Sequence, residues 1–245
     1  MSADPSSPRL LVSVRNLEEA RIARAAGSDL IDLKEPHRGS LGRVDKTIAD
    51  QVAAELPESP LSLALGELAE WNDTVGIPQI PAAIRYLKLG LSHQAGVAWQ
   101  PAWKRLRDAI DQRSDKRFDW IAVIYADAEA ARSPAPEEII EAARETNCAG
   151  VLFDTWTKSA GTLTDHVSID RLRSYIESIH AAGMLAALAG SVREAHLPEI
   201  LPLGADIIAV RGAVCSGRNR TGDVCPDLIR DFRARVKRET LETCN

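Results

Sequence analysis

The chain has 245 residues, 45% hydrophobic and 27% charged, with 30 Lys plus Arg against 35 Asp plus Glu. This is globular composition, which excludes collagen, coiled coil and disorder, and a formal net charge of −5 offers no field for a polyanion, so no nucleic-acid partner is expected. The longest weakly polar stretch, residues 181–192, holds two glycines and falls short of the roughly 18 to 20 apolar residues a span needs, so no membrane partner is expected either.

Residues 1–8, rich in Ser, Pro and Asp, read as a flexible tail without the basic start of a secretory signal. From Arg9 onward, short runs of Val, Ile and Leu alternate with stretches of helical period. The runs predict strands at 9–14, 30–34, 61–66, 86–91, 118–126, 150–155, 185–190 and 207–212. Between them, helices are predicted at 17–26, 44–56, 102–112, 136–146 and 169–182. Gly27, Gly183 and Gly204 each follow a helical run and precede an apolar one, the position where a left-handed residue closes a helix. The third unit is the weakest, because Pro78 and Pro81 leave room for at most a short helix. Eight strands in 245 residues, one about every 31, match an α/β fold of the closed TIM (β/α)8 type over residues 9–245, a single domain, better than an open doubly wound sheet.

Cys148, Cys215, Cys225 and Cys244 lie far apart with no C-x-x-C pair, which suits reduced thiols in a cytoplasmic protein. His37, His93, His166, His180 and His196 show no ligand spacing, so no metal is expected, and nothing asks for an organic cofactor.

In a parallel barrel the chemistry sits at the C-terminal ends of the strands. Of seven lysines, three fall at or just after such ends. Alternation along the second strand points Asp32 and Lys34 the same way. Lys88 lies mid-strand among apolar neighbours, facing either the barrel interior or the helix layer, and in both places its charge is costly unless paired. Asp154 ends the sixth strand, with Lys158 four residues beyond. An ordinary lysine, with a pKa near 10.4, is neutral only about once in 2,500 at pH 7. An imine-forming lysine therefore needs desolvation or neighbouring cations, which Lys34, Lys88 and Lys158 supply for one another if they converge, with Asp32 and Asp154 moving protons.

The last two strands end in small residues, Gly190-Ser191 and Arg211-Gly212-Ala213, where peptide N–H groups can approach a phosphate. The basic loop 215–222 follows, readable as an anion site or as a solvated turn, and Gly39-Ser40-Leu41-Gly42 carries the same two readings. Asp127 and Glu67, after the fifth and third strands, read either as mouth residues or, for Asp127, as a helix N-cap. Trp156 reads as a wall of the site or as packing under a loop, and His37 as incidental.

These residues carry a resemblance. The run Ile31-Asp32-Leu33-Lys34-Glu35-Pro36-His37-Arg38-Gly39-Ser40-Leu41-Gly42 resembles the D-x-K-x-P-x-x-G-S-L-G signature of the (5-formylfuran-3-yl)methyl phosphate synthases of methanofuran biosynthesis, also called 4-(hydroxymethyl)-2-furancarboxaldehyde-phosphate synthases. The likeness continues through Tyr86 to Leu91, Tyr125 to Ala128, Asp154-Thr155 with Lys158, Ala187 to Ser191, and Val210 to Ala213 with Cys215. Residues 67–81 match poorly, with Glu67 where the pattern has Asp.

The resemblance implies a metal-free TIM-barrel lyase that condenses two molecules of glyceraldehyde 3-phosphate into a phosphorylated furan aldehyde, for methanofuran or a methanofuran-like one-carbon cofactor. Carried over, Lys34 looks like the Schiff-base lysine and Lys88 like the proton acceptor, with Asp32, Asp154 and Lys158 assisting. Gly190, Ser191, Arg211 and Gly212 look like phosphate contacts. The partner expected is a phosphorylated triose, and a homo-oligomer stays open. The residues alone leave two rivals: a class I aldolase or sugar-phosphate isomerase, and a non-catalytic phosphate-binding barrel.

Overall fold

Strands buried on both faces read as continuous apolar runs, and such strands pack only where helices cover the sheet. The computed structural model describes residues 7–72 and 75–243, so most of the tail expected over residues 1–8 lies outside the described residues. Among these residues eight parallel strands close on themselves in chain order, each paired with the next and the last with the first. They are β1 (Arg9–Val14), β2 (Leu30–Leu33), β3 (Leu61–Glu67), β4 (Ile84–Gly90), β5 (Asp119–Tyr125), β6 (Gly150–Asp154), β7 (Leu185–Leu188) and β8 (Ile207–Val210). The chain is a single (β/α)8 barrel, as its alternating pattern predicts.

The covering helices are α1 (Leu17–Ala25), α2 (Lys46–Glu55), α3 (Gln100–Asp111), α4 (Ala128–Ala131), α5 (Pro136–Glu145), α6 (Leu163–His166), α7 (Ile169–Ala181), α8 (Leu197–Ile200) and α9 (Pro226–Thr243). The long α9 is absent from the expected helices, although Ile229, Phe232 and Val236 recur at helical spacing and are buried. A single 3-10 turn, Leu68–Glu70, follows β3, in keeping with the prolines of that unit. Gly27, Gly183 and Gly204 have φ of 92°, 72° and 75°, the left-handed closure expected of them.

The two faces of each strand feed two cores. Leu10, Val12, Ile31, Leu33, Leu61 and Leu63 pack outward against the helices. Leu11, Leu30, Ala64, Tyr86, Ile121, Val123, Leu152, Ala187, Ile207 and Ala209 point inward and fill the barrel. The next inward positions toward the strand C-termini are polar: Ser13, Asp32, Lys34, Lys88 and Asp154. Period-2 alternation therefore stacks a polar layer on an apolar plug. β2, β6, β7 and β8 end one or two residues earlier than expected, because Lys34, Thr155, Gly190 and Gly212 already belong to the loops above. Among the described residues no helix is long and apolar enough to cross a membrane.

Candidate active site

The polar layer floors a cavity of about 230 Å³ at the C-terminal mouth, walled by the ends of β1, β2, β6, β7 and β8. Asp32, Lys34, Lys88, Asp154 and Lys158 all line it, as do Gly190, Ser191, Arg211 and Gly212. Lys88 faces the barrel interior, 3% exposed, with its Nζ 2.5 Å from Oδ1 of Asp32. The Ser13 hydroxyl donates to the other Asp32 oxygen at 3.0 Å. Burial alone would raise the Asp32 carboxyl; the charges of Lys88 and Lys34 outweigh it and hold it below its ordinary value.

Asp154 is the hub of a second group. Lys158 donates to its Oδ1, Lys34 Nζ lies 3.8 Å from its Oδ2, and the Ser40 hydroxyl donates to that same Oδ2 at 2.9 Å. The Thr155 N–H donates to Oδ1 at 2.9 Å. Burial is again outweighed, here by Lys158 and Lys34, and the Asp154 carboxyl is held well below the usual carboxylate range. Among the described residues, no group of His, Cys, Asp and Glu has the geometry of a metal site.

Lys34 sits between the two carboxylates, 8% exposed. Burial lowers its pKa to about 8, Lys158 and Lys88 push the same way, and Asp154 and Asp32 only partly restore it. At pH 7 about one Lys34 in ten is then neutral, against roughly one in 2,500 for a free lysine. Burial also lowers Lys158 against the pull of Asp154. A neutral amine with open cavity above it and acids beside it can attack a carbonyl and pass protons.

At the far wall Gly190 and Ser191 hold successive left-handed conformations, with φ of 90° and 56°, and a 3-10 turn, Gly212–Val214, starts directly beyond β8. This is the barrel's usual phosphate position. The Arg211 guanidinium, however, is engaged in the wall: it bonds Glu19 at 2.9 and 3.2 Å, the Ser13 carbonyl at 2.8 Å and the Gly222 carbonyl at 3.0 Å. Glu19 lies on the buried face of α1, where Asn16 caps the helix by accepting the Glu19 N–H at 2.9 Å. An acid in a first helical turn is so ordinary that nothing in the sequence marks Glu19 as the counter-ion of an arginine 192 residues away.

Beyond the ends of β3, β4 and β5 the polar residues Glu67, Ser92 and Asp127 are buried. Glu67 is buried, accepting the Tyr125 hydroxyl at 2.5 Å and the Ser92 N–H at 2.9 Å. Burial raises its carboxyl, and these neutral donors offset only part of that. A side chain at residue 90 would collide with the Glu67 carboxylate, which could then not keep its present place. Trp156 packs edge-on against Tyr125 and His93. Asp127 stands before α4 without capping it; its carboxylate accepts the N–H groups of Trp156 and Thr157 at 2.6 and 2.8 Å and holds the loop that carries Lys158.

A family model described as 4-HFC-P synthase matches residues 10–233 of this chain. The (5-formylfuran-3-yl)methyl phosphate synthase of Methanococcus maripaludis is 33% identical over 232 residues, 91% of this chain and 97% of that protein. The Methanocaldococcus jannaschii synthase is 31% identical, covering 93% of this chain and 99% of its own length. A relative in Streptomyces griseus, described as a putative synthase of this name, is 34% identical over 94% of both. In structure the chain is similar to phosphoribosyl anthranilate isomerase from Thermotoga maritima, with a TM-score of 0.63 at 16% identity over 94% of this chain and 98% of that one. It is also similar to KGPDC from Streptococcus mutans, with a TM-score of 0.59 at 14% identity over 95% and 98%. At such identities these structures speak for the fold alone.

Proposed function

The chain belongs to the 4-HFC-P synthase family, and from that premise we propose that it condenses two glyceraldehyde 3-phosphate molecules into 4-(hydroxymethyl)-2-furancarboxaldehyde phosphate through an imine on Lys34. The observation that carries this reading is Lys34 itself: a buried lysine with a pKa of about 8, open to a cavity and flanked by two ion-paired carboxylates. The amine adds to a triose carbonyl and loses water. The resulting iminium acidifies the adjacent carbon, so that isomerisation, phosphate elimination and aldol addition proceed from one covalent anchor. Hydrolysis of the imine returns the Lys34 amine, and ring closure and dehydration complete the furan.

Lys88 passes its ammonium proton to Asp32, which holds it, and the amine so freed accepts the proton from the carbon beside the imine. Asp154 and Lys158 move protons to and from the substrate oxygens. Gly190, Ser191 and Gly212 bind phosphate through peptide N–H groups. Arg211 supports that cradle from below, since its guanidinium holds the loop carbonyls and Glu19. Free thiols at Cys148, Cys215 and Cys225 suit the cytoplasm, where phosphorylated trioses occur.

The test is incubation of the protein with glyceraldehyde 3-phosphate while the near-ultraviolet spectrum is recorded. A conjugated furan chromophore and free phosphate are expected. Lys34→Arg keeps the charge but forms no imine and should abolish both. Turnover without a chromophore would point to an aldolase or isomerase instead.

A further inference from the structure

Arginine carries five N–H donors in a planar fork, and one left in a cavity with a single acceptor is short of partners. Three arginines of the β8 end and its loop line the cavity. Arg211 is committed to Glu19, and Arg218 to Glu194 and the Ala213 carbonyl. Arg220 differs. It is half-buried, its Nη2 donates to the Gly39 carbonyl at 3.0 Å, and among the described residues no carboxylate lies within ion-pair distance of it. Burial lowers its pKa, with Asp154 and Glu35 acting only at longer range.

The backbone beneath this side chain is fixed. Arg211 donates to the carbonyls of Arg220 and Gly222 at 2.5 and 3.0 Å, and Arg15 to that of Thr221 at 2.7 Å. Three consecutive carbonyls are thus held by two arginines, and both arginines are anchored on Glu19. The mount leaves the Arg220 guanidinium reaching from the β8 loop to the β2 loop, over the cavity that holds Lys34, and its charge is felt by Lys158. A desolvated cation on a rigid support, short of an anion, is a site prepared for one.

We propose that Arg220 is a phosphate-binding residue, taking a phosphoryl group of the substrate beside Lys34 and Lys158 as an addition to the peptide cradle at the ends of β7 and β8. The assignment rests on the reading that the substrate is a phosphorylated triose. It also gives a reason for Glu19, Arg15 and Arg211, which no step of the chemistry uses: they act as positioning residues for Arg220 through its backbone. Because Arg211 and Arg15 hold the loop by three carbonyls and the Arg220 side chain adds only its bond to Gly39, Arg220→Met should fold as the wild type does, which circular dichroism and thermal unfolding will check.

The experiment is calorimetric titration of the wild type, Arg220→Met and Arg220→Lys with inorganic phosphate. Arg220→Met should bind phosphate at least about tenfold more weakly, and Arg220→Lys should fall between, since an ammonium lacks the fork. Equal affinity in wild type and Arg220→Met, or no saturable phosphate binding by the wild type, overturns the proposal. A second measurement compares labelling of Lys34, trapped by borohydride, by glyceraldehyde 3-phosphate and by unphosphorylated glyceraldehyde. The advantage of the phosphorylated triose should shrink by about tenfold in Arg220→Met, and an undiminished advantage also overturns the assignment. If the wild type forms no adduct and no furan, the proposed reaction fails while the phosphate titration still judges Arg220.

Discussion

The two halves of the barrel mouth bury acids of the same kind and shift them in opposite directions. Toward β2 and β6, Asp32 and Asp154 are each 1% exposed or less, yet both carboxyls are held below their ordinary values. Toward β3 and β5, Glu67 is 6% exposed and its carboxyl is raised. Burial pushes all three upward, so the partners decide the outcome. Lysine ammonium groups face the aspartates, whereas a tyrosine hydroxyl and a peptide N–H face the glutamate. The half with the lysines lines an open cavity, whereas beside Glu67 the Tyr125 ring packs edge-on against Trp156.

The largest break in this contrast is expected from Asp154→Asn. It removes the anion shared by Lys34 and Lys158 and should destabilise the protein by about 3–5 kcal/mol in urea unfolding, the cost of breaking a buried pair. Because Asp154 raises the Lys34 pKa, the variant should also move the midpoint of Lys34 labelling to lower pH. An upward move would show that the carboxylate does not hold the ammonium.

Tyr125→Phe acts on the other half and leaves Glu67 Oε1 without its hydroxyl donor. A loss of about 1–3 kcal/mol is expected, smaller than that from Asp154→Asn because no ion pair is broken. An equal or larger loss would mean that Glu67 depends on Tyr125 as much as the lysines depend on Asp154.

The smallest effect is in the pH dependence of stability. The depressed carboxyls of Asp32 and Asp154 contribute stability above the ordinary carboxyl pKa of about 3.9, and lose it as pH falls through their folded values. The raised Glu67 carboxyl behaves oppositely: its contribution is present below about 4.3 and is lost as pH rises through its folded value. The stability of wild type relative to Glu67→Gln should therefore fall as the pH is raised from about 4 toward neutrality. A flat or rising difference would show that the Glu67 carboxyl is not raised in the folded protein.

Local spacing in the chain encodes the half around Asp32 and Asp154 far better than the half around Glu67. Asp32 and Lys34 are two apart, and Asp154 and Lys158 four apart, each across the end of one strand, so local spacing brings each pair together. Lys88 stood out because a strand-borne charge among apolar residues must be paired, although its facing was open until the closed barrel fixed it. The supporting contacts span long separations that periodicity does not encode: Ser40 reaches 114 residues to Asp154, Glu67 reaches 58 to Tyr125, and Arg211 reaches 192 to Glu19. Arg211 shows the consequence. As a cation at a strand end where barrels of this type often bind phosphate it reads as a ligand contact, and only the buried face of α1 reveals that its guanidinium is occupied.

Lys34 as a neutral nucleophile is tested most directly by borohydride trapping with glyceraldehyde 3-phosphate across a pH series, followed by peptide mapping. The mass increment should fall on the peptide bearing Lys34, with a labelling rate that climbs about tenfold per pH unit and levels off above about 8. An increment on Lys88 or Lys158 in its place, or a rate still climbing past pH 10 as for an ordinary lysine, would contradict it.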